Sequence, residues 1–158
     1  MDAAYDCAVD DHNYFYTLLA NLESDVSQAK WDEAQFSLLA FSTAFRHHIA
    51  LEESIYFPMI KKVAGNETWP VEVLSAEHSR LKLILLRMES AVSLHRKNDF
   101  ILHVESFLIL MHTHSVKEEQ ILYKNIKHVA LLANDRPESL LSAHEATVQS
   151  SSNMPPSF

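Results

Sequence analysis

The chain has 158 residues, of which 47% are hydrophobic, and this is enough for one domain with an ordinary core. Its formal net charge of -8 argues against binding nucleic acid or an anionic membrane, because both need a basic face. It has one cysteine, no signal-peptide pattern and no apolar run long enough to span a bilayer, so we expect a cytoplasmic protein.

The single glycine and the five prolines predict a mostly helical chain that begins with two long helices. The first helix is predicted from near Asp6 to Gln28, with His12 on or beside its apolar face. The second is predicted from Glu33 to about Val63, with Asp32 as its N-cap. Pro58 lies inside the second helix and is expected to bend it.

Two polar residues occupy the middle of the core-facing side of the second predicted helix. His48 and Glu52 are four residues apart, so both side chains project from one face, one turn apart. A buried carboxylate needs a compensating partner, and a bound metal ion is one such partner. Glu53 is rotated by about 100° from this face, so we expect it to be solvated or at a helix seam and not a metal ligand.

The second half of the chain is predicted to form another pair of helices. Gly65 is the expected end of the preceding helix, and a third helix follows from about Trp69 to Arg96, with His78 on its buried face. A turn at Lys97–Asp99 is predicted to lead into a fourth helix from about Asp99 to His128 or a little further.

The chain contains an internal repeat. The pattern His-x-x-x-Glu-Glu occurs at His48 and again at His114, where Glu118 is the first of the two acids. A single histidine lies 36 residues before each copy, at His12 and at His78, so the two half-repeats are offset by 66 residues. Each half-repeat has the size of a helical hairpin, and two packed hairpins bring four histidines and two glutamates together.

The remainder of the chain is predicted to add little. We assign residues 1–132 to the bundle and residues 133–158 to a C-terminal extension. In this extension, Leu140 to Val148 are predicted to form a short helix, and Gln149 to Phe158 a disordered tail.

Four imidazoles and two carboxylates are typical ligands of iron, manganese or zinc, whereas calcium and magnesium prefer oxygen alone. Six protein ligands are too many for one zinc ion but divide naturally over two metals, with the glutamates as bridges, which indicates a di-iron carboxylate centre. A ferritin-like site would need Glu-x-x-His, and this pattern does not occur in the sequence.

From about His12 to Glu119, the ordered motifs resemble those of the hemerythrin-like, or HHE, cation-binding domain. The resemblance implies an all-α, up-down-up-down four-helix bundle that holds two iron ions joined by an oxo or hydroxo bridge. It implies as metal ligands His12, His48, Glu52, His78, His114 and Glu118.

The sequence departs from the oxygen-carrying hemerythrins at one position. These proteins have a further histidine one turn after the histidine of the third helix, where this chain has Lys82; the equivalent position in the first helix is Tyr16. We expect Lys82 to extend to the edge of the bundle, although it is also a candidate cation beside a bound ligand.

These features support three hypotheses about function. The first is a non-haem di-iron protein that binds or senses oxygen, nitric oxide or peroxide. The alternative is a di-iron redox enzyme that reduces peroxide or nitric oxide or repairs iron centres, with Lys82 or a tyrosine as donor. The third is a plain bundle for partner binding. Whether the protein is an enzyme stays open, and we expect a monomer or homodimer.

Overall fold

A computed structural model describes the backbone of residues 3–64 and 69–133 and, within these ranges, the side chains of residues 12–62 and 69–121. Its α-helices are α1 (Ala3–Ser27), α2 (Trp31–Leu51), α3 (Phe57–Ala64), α4 (Trp69–Ser93) and α5 (Lys97–Ala133). A π-helical segment, Glu52–Tyr56, joins α2 to α3 without a break. The described residues therefore form four helical rods and contain no strand.

The rods pack as an up-down-up-down bundle. Short turns connect α1 to α2 and α4 to α5, and these two hairpins pack against each other through α2 with α4 and α1 with α5. The resulting ring of contacts encloses one interior, as in other four-helix bundles. The predicted all-α fold class, an up-down-up-down four-helix bundle, is confirmed. None of the described helices combines the length and the apolarity that crossing a membrane requires.

The interior holds two apolar clusters. The larger contains Phe15, Phe41, Phe45 and Phe107, whose rings contact one another with centroids 5.1 to 6.4 Å apart. Such aromatic packing contributes about 0.5–1.5 kcal/mol per pair beyond the burial of area. The smaller cluster consists of Phe57, Ile60, Val71 and Leu74.

The internal repeat of the sequence is also present in the backbone. Ala29 and His95, which are 66 residues apart, have left-handed φ angles of 56° and 54° and end α1 and α4. In each turn the next residue, Lys30 or Arg96, donates its N–H to the carbonyl five residues earlier, at 2.9 and 2.8 Å. This is the Schellman arrangement that closes a helix, and here it occurs twice without glycine.

Several predicted boundaries are wrong at this end of the bundle. The predicted turn at Lys97–Asp99 lies inside α5, because the left-handed residue His95 ends α4 earlier than expected. Asp32 is not the N-cap of α2: this position is held by Lys30, whose side chain makes no capping bond. Asp32 lies in the first turn, where its charge still favours the helix N-terminus.

The π-helical segment explains how the chain accommodates Pro58 within a helical rod. Proline has no N–H to donate, and in a regular helix its ring would clash with the carbonyl four residues earlier. Instead, the N–H of Phe57 donates to the carbonyl of Glu52, five residues earlier, which is the bond of a π turn. The predicted disturbance therefore begins at Glu52, the first acidic residue of the motif, six residues before Pro58.

Two sequence predictions lie outside the described residues. These are the helix end at Gly65 and the C-terminal extension, with its short helix from Leu140 to Val148. The division of the chain into residues 1–132 and 133–158 stays a prediction.

Candidate metal centre

The structure brings all six predicted ligand side chains together inside the bundle. They come from α1, α2, the π segment, α4 and α5, and none of the six residues is more than 6% exposed. They form two groups of three in which the nearest ligand atoms all lie within 4.8 Å of one another. One group is His12, His48 and Glu118, and the other is Glu52, His78 and His114.

The two groups contain one histidine pair each, His12 with His48 and His78 with His114. Each carboxylate lies close to a histidine of both pairs. The two oxygens of Glu52 lie 3.2 Å from His48 Nε2 and 3.0 Å from His78 Nε2. Glu118 Oε2 lies 3.2 Å from His12 Nε2 and 3.6 Å from His114 Nε2. The two three-residue groups are therefore one continuous centre.

Three of the carboxylate oxygens at this centre lack well-aligned hydrogen bonds to the described residues. Both oxygens of Glu52 and Oε2 of Glu118 are buried, and among the described residues no donor reaches them with hydrogen-bonding geometry. Burying a neutral polar group without a compensating partner costs roughly 2–7 kcal/mol, and burying a charged carboxylate costs more. A metal ion coordinated by these oxygens would compensate that cost.

The two carboxyl groups at the centre have pKa values shifted in opposite directions. Burial raises the pKa of Glu118, and the negative charge of Glu52 raises it further, well above the ordinary value. For Glu52, burial also acts to raise the pKa, but attraction to His48 and contacts with other polar neighbours outweigh it and lower the pKa well below its usual range. Without metal, the pair therefore favours one ionised and one protonated carboxyl group.

Outside the centre, one carboxylate approaches His78. Glu53 Oε1 lies 3.0 Å from His78 Nδ1, and Lys82 Nζ donates to both oxygens of Glu53 at 2.9 Å. Burial opposes the charged form of Glu53, but the hydrogen bonds from Lys82 and His78 outweigh it and lower the pKa. Glu53 lies at a helix seam, which is one of the two placements expected from the sequence. Lys82 extends to the edge of the bundle.

A second carboxylate approaches His114 in the same manner. Glu77 Oε2 lies 3.2 Å from His114 Nδ1, and Lys117 Nζ donates to the other oxygen of Glu77. Burial acts to raise the pKa of Glu77, but these two partners lower it overall. Sequence reasoning missed Glu77 and Lys117, because Glu77 contacts a histidine on the neighbouring helix and not His78 beside it in the chain.

The contacts of Glu53 with His78 and of Glu77 with His114 bear on which form of each imidazole faces the centre. A carboxylate only accepts, so the contacts with Glu53 and Glu77 favour the tautomers of His78 and His114 that carry the proton at Nδ1 and keep a lone pair at Nε2. The two Nε2 atoms lie 3.2 Å apart, and with both rings in these tautomers their lone pairs would repel unless a cation lay between them. Two nitrogens bound at right angles to one metal at ~2.1 Å would be about 3 Å apart. The donor set and its spacing fit a metal ion.

The surroundings of His114 lower its pKa and so favour the neutral imidazole. Burial lowers its pKa to about 4, and the neighbouring His78 contributes in the same direction. The imidazole is therefore neutral at physiological pH, which is the form that binds metals.

Tyr16 is the residue at the position equivalent to Lys82. It is half-buried on α1, one turn after His12. Burial raises the pKa of its hydroxyl, and Glu119 adds to this effect, whereas a hydrogen bond with Ser115 opposes it.

A four-helix bundle with buried histidines and glutamates grouped in this way belongs to the class of helical bundles that could hold metal ions in their interior. A family model described as the hemerythrin HHE cation binding domain matches residues 1–60, which include His12, His48 and Glu52. The resemblance inferred from the motifs is confirmed over this range. No curated protein and no solved structure matched the chain.

Proposed function

We propose that the protein is a non-haem di-iron protein that binds or senses oxygen or a related small molecule, nitric oxide or peroxide. One iron would lie at each histidine pair, within an oxo- or hydroxo-bridged centre. The protein ligands would be His12, His48, Glu52, His78, His114 and Glu118. The observation that carries this proposal is that Glu52 and Glu118 each reach a histidine of both pairs.

Iron suits this donor set better than zinc does. A structural zinc site takes four ligands around one ion, whereas this centre has six donors in two groups. Mixed imidazole and carboxylate donors that two ions share are compatible with the six-coordinate preference of iron. Two ions with only six protein ligands keep vacant positions, so a small molecule has a place to bind.

The burial of the centre limits the size of its ligand. None of the six donor residues is more than 6% exposed. Oxygen, nitric oxide and peroxide need little room, whereas a larger substrate would need the helices to separate. The geometry therefore supports a small-molecule partner.

The decisive experiment is anaerobic loading with ferrous ion, followed by measurement of iron per chain and of absorption spectra as air is admitted and removed. Two irons per chain and visible bands that reverse on deoxygenation support gas binding. Two irons that oxidise irreversibly shift the assignment to a sensor or redox enzyme. A chain that retains no iron refutes the metal assignment and favours a plain bundle for partner binding.

A di-iron redox enzyme is the second candidate, and the position of Tyr16 favours it. Tyr16 is half-buried one turn after His12 and is a candidate proton or electron donor, whereas the ammonium group of Lys82 is engaged by Glu53. Steady-state turnover of peroxide or nitric oxide with a reductant distinguishes this function from binding alone. Loss of that turnover in Tyr16→Phe, with iron content retained, would identify the tyrosine as the donor.

A further inference from the structure

We propose that Glu53 and Glu77, each held by a lysine, are positioning residues that set the ring orientation of His78 and His114. Their effect on bound metal rests on the proposed function, whereas the orientation itself is a property of the metal-free protein. Neither carboxylate belongs to the two groups of possible metal ligands.

The two arrangements have the same construction. In each, a histidine and a lysine lie three or four residues apart on one helix, and so on one side of it, while the carboxylate comes from a neighbouring element. His78 and Lys82 of α4 hold Glu53 of the π segment. His114 and Lys117 of α5 hold Glu77 of α4.

The lysines immobilise the carboxylates. Lys82 Nζ is 2.9 Å from both oxygens of Glu53, and this contact fixes the plane of the carboxylate. The side chains of Lys82 and Lys117 are 44% and 42% exposed, so their own cost of burial is small. Because the carboxylate is fixed, the imidazole is held at Nδ1 and its Nε2 points toward the centre.

The π segment makes the first arrangement possible. His78 contacts two consecutive acids, Glu52 Oε2 at Nε2 and Glu53 Oε1 at Nδ1, each at 3.0 Å. Consecutive side chains of an α-helix diverge by about 100°. A π turn holds more residues and so rotates less per residue, which lets both carboxylates reach one ring.

The test uses two substitutions of nearly equal size at each carboxylate. Glu53→Met and Glu77→Met remove the acceptor, whereas Glu53→Gln and Glu77→Gln keep an acceptor oxygen but lose the charge. The control is Glu89→Met, since Glu89 also makes an ion pair across α2 and α4, with Arg46 at 2.7 Å, but this pair involves no histidine. Nitrogen NMR of the metal-free full chain, at a pH where imidazole is neutral, reports which ring nitrogen carries the proton.

The expected effect is specific to one ring in each variant. In Glu53→Met the proton of His78 moves from Nδ1 to Nε2, which then donates to Glu52, while His114 is unchanged; Glu77→Met has the reverse effect. The glutamine variants retain the parent tautomers, and Glu89→Met changes neither ring. Zinc, as a diamagnetic probe, is released to a chelator about 10- to 100-fold faster from the methionine variants.

Lys82→Met and Lys117→Met provide a second set at exposed side chains in case a glutamate variant does not fold. Each is expected to accelerate zinc release, whereas Lys82→Arg, which can still hold Glu53, restores the parent rate. Unchanged tautomers in folded methionine variants, or zinc release within about twofold of the parent, would overturn the inference. If the tautomers change as expected in the variants but the parent chain binds no metal, only the proposed function would be overturned.

Discussion

His78 Nε2 and His114 Nε2 face each other at 3.2 Å between the neighbouring helices α4 and α5. The two residues are 36 positions apart in the chain, the same separation as between His12 and His48. The rings of His12 and His48 also meet, with centroids 5.3 Å apart. Each hairpin thus provides one histidine pair, and the following predictions test what the pairs and the glutamates between them do.

His48→Ala should abolish metal binding and lower the stability of the fold. The imidazole packs edge-on against Phe15, with ring centroids 5.1 Å apart, and lies 3.2 Å from Glu52, so its removal leaves a cavity and a buried carboxylate without this neighbour. We expect a loss of about 2–4 kcal/mol of unfolding free energy. Urea titration and iron analysis measure the two effects, and unchanged iron content would refute the ligand assignment.

Glu118→Gln should abolish or weaken metal binding but stabilise the metal-free fold at neutral pH. The folded pKa of Glu118 is raised above the ordinary value of 4.5, so ionisation destabilises the folded state as the pH rises from about that value. A glutamine avoids this ionisation. Urea titrations of both metal-free proteins across pH should show equal stabilities in acid and an advantage for the variant that grows with pH; a constant difference would contradict the raised pKa.

Lys82→His should move the centre toward the oxygen-carrier pattern and slow the irreversible oxidation of iron after air is admitted. The substitution also removes the contact of Lys82 with Glu53, so the matched control is Lys82→Met, which loses the same contact without adding an imidazole. Stopped-flow absorption compares the two oxidation rates. Equal rates in the two variants would count against a fifth imidazole as a ligand at this position.

Ala29→Gly should raise the free energy of unfolding by about 0.5–1 kcal/mol, because the left-handed conformation of Ala29 strains a residue with a Cβ atom. His95→Gly relieves the same strain in the other turn, but it also removes the ring that stacks on Trp31, with centroids 4.7 Å apart. Its gain should therefore be smaller. Urea denaturation of the metal-free chain measures both, and a less stable Ala29→Gly variant would contradict the prediction.

The helices and the residues of the centre could be predicted because their signals are local. A His-x-x-x-Glu pair shares one helical face whatever the fold, and the 66-residue offset indicates that two such faces are related. The structure brings these side chains together, and their role as ligands stays a prediction. The cytoplasmic location and the oligomeric state stay predictions as well.

The features that could not be predicted depend on tertiary geometry. Contact of Glu77 with His114 requires the relative rotation of α4 and α5, which no spacing within one helix reveals. Glu53 reaches His78 only because the helix widens into a π turn before Pro58. The end of α4 was misplaced because His95 adopts a conformation that glycine usually supplies.

The distribution of donors over the two hairpins has a consequence for assembly. The group of His12, His48 and Glu118 takes two members from the first hairpin and one from the second. The other group takes Glu52 from the first hairpin and both histidines from the second. Neither hairpin alone carries a complete group. Metal binding would therefore be coupled to the docking of one half of the chain onto the other, and each ion would act as a cross-link between halves that the backbone joins but that the single cysteine cannot bridge by an internal disulfide.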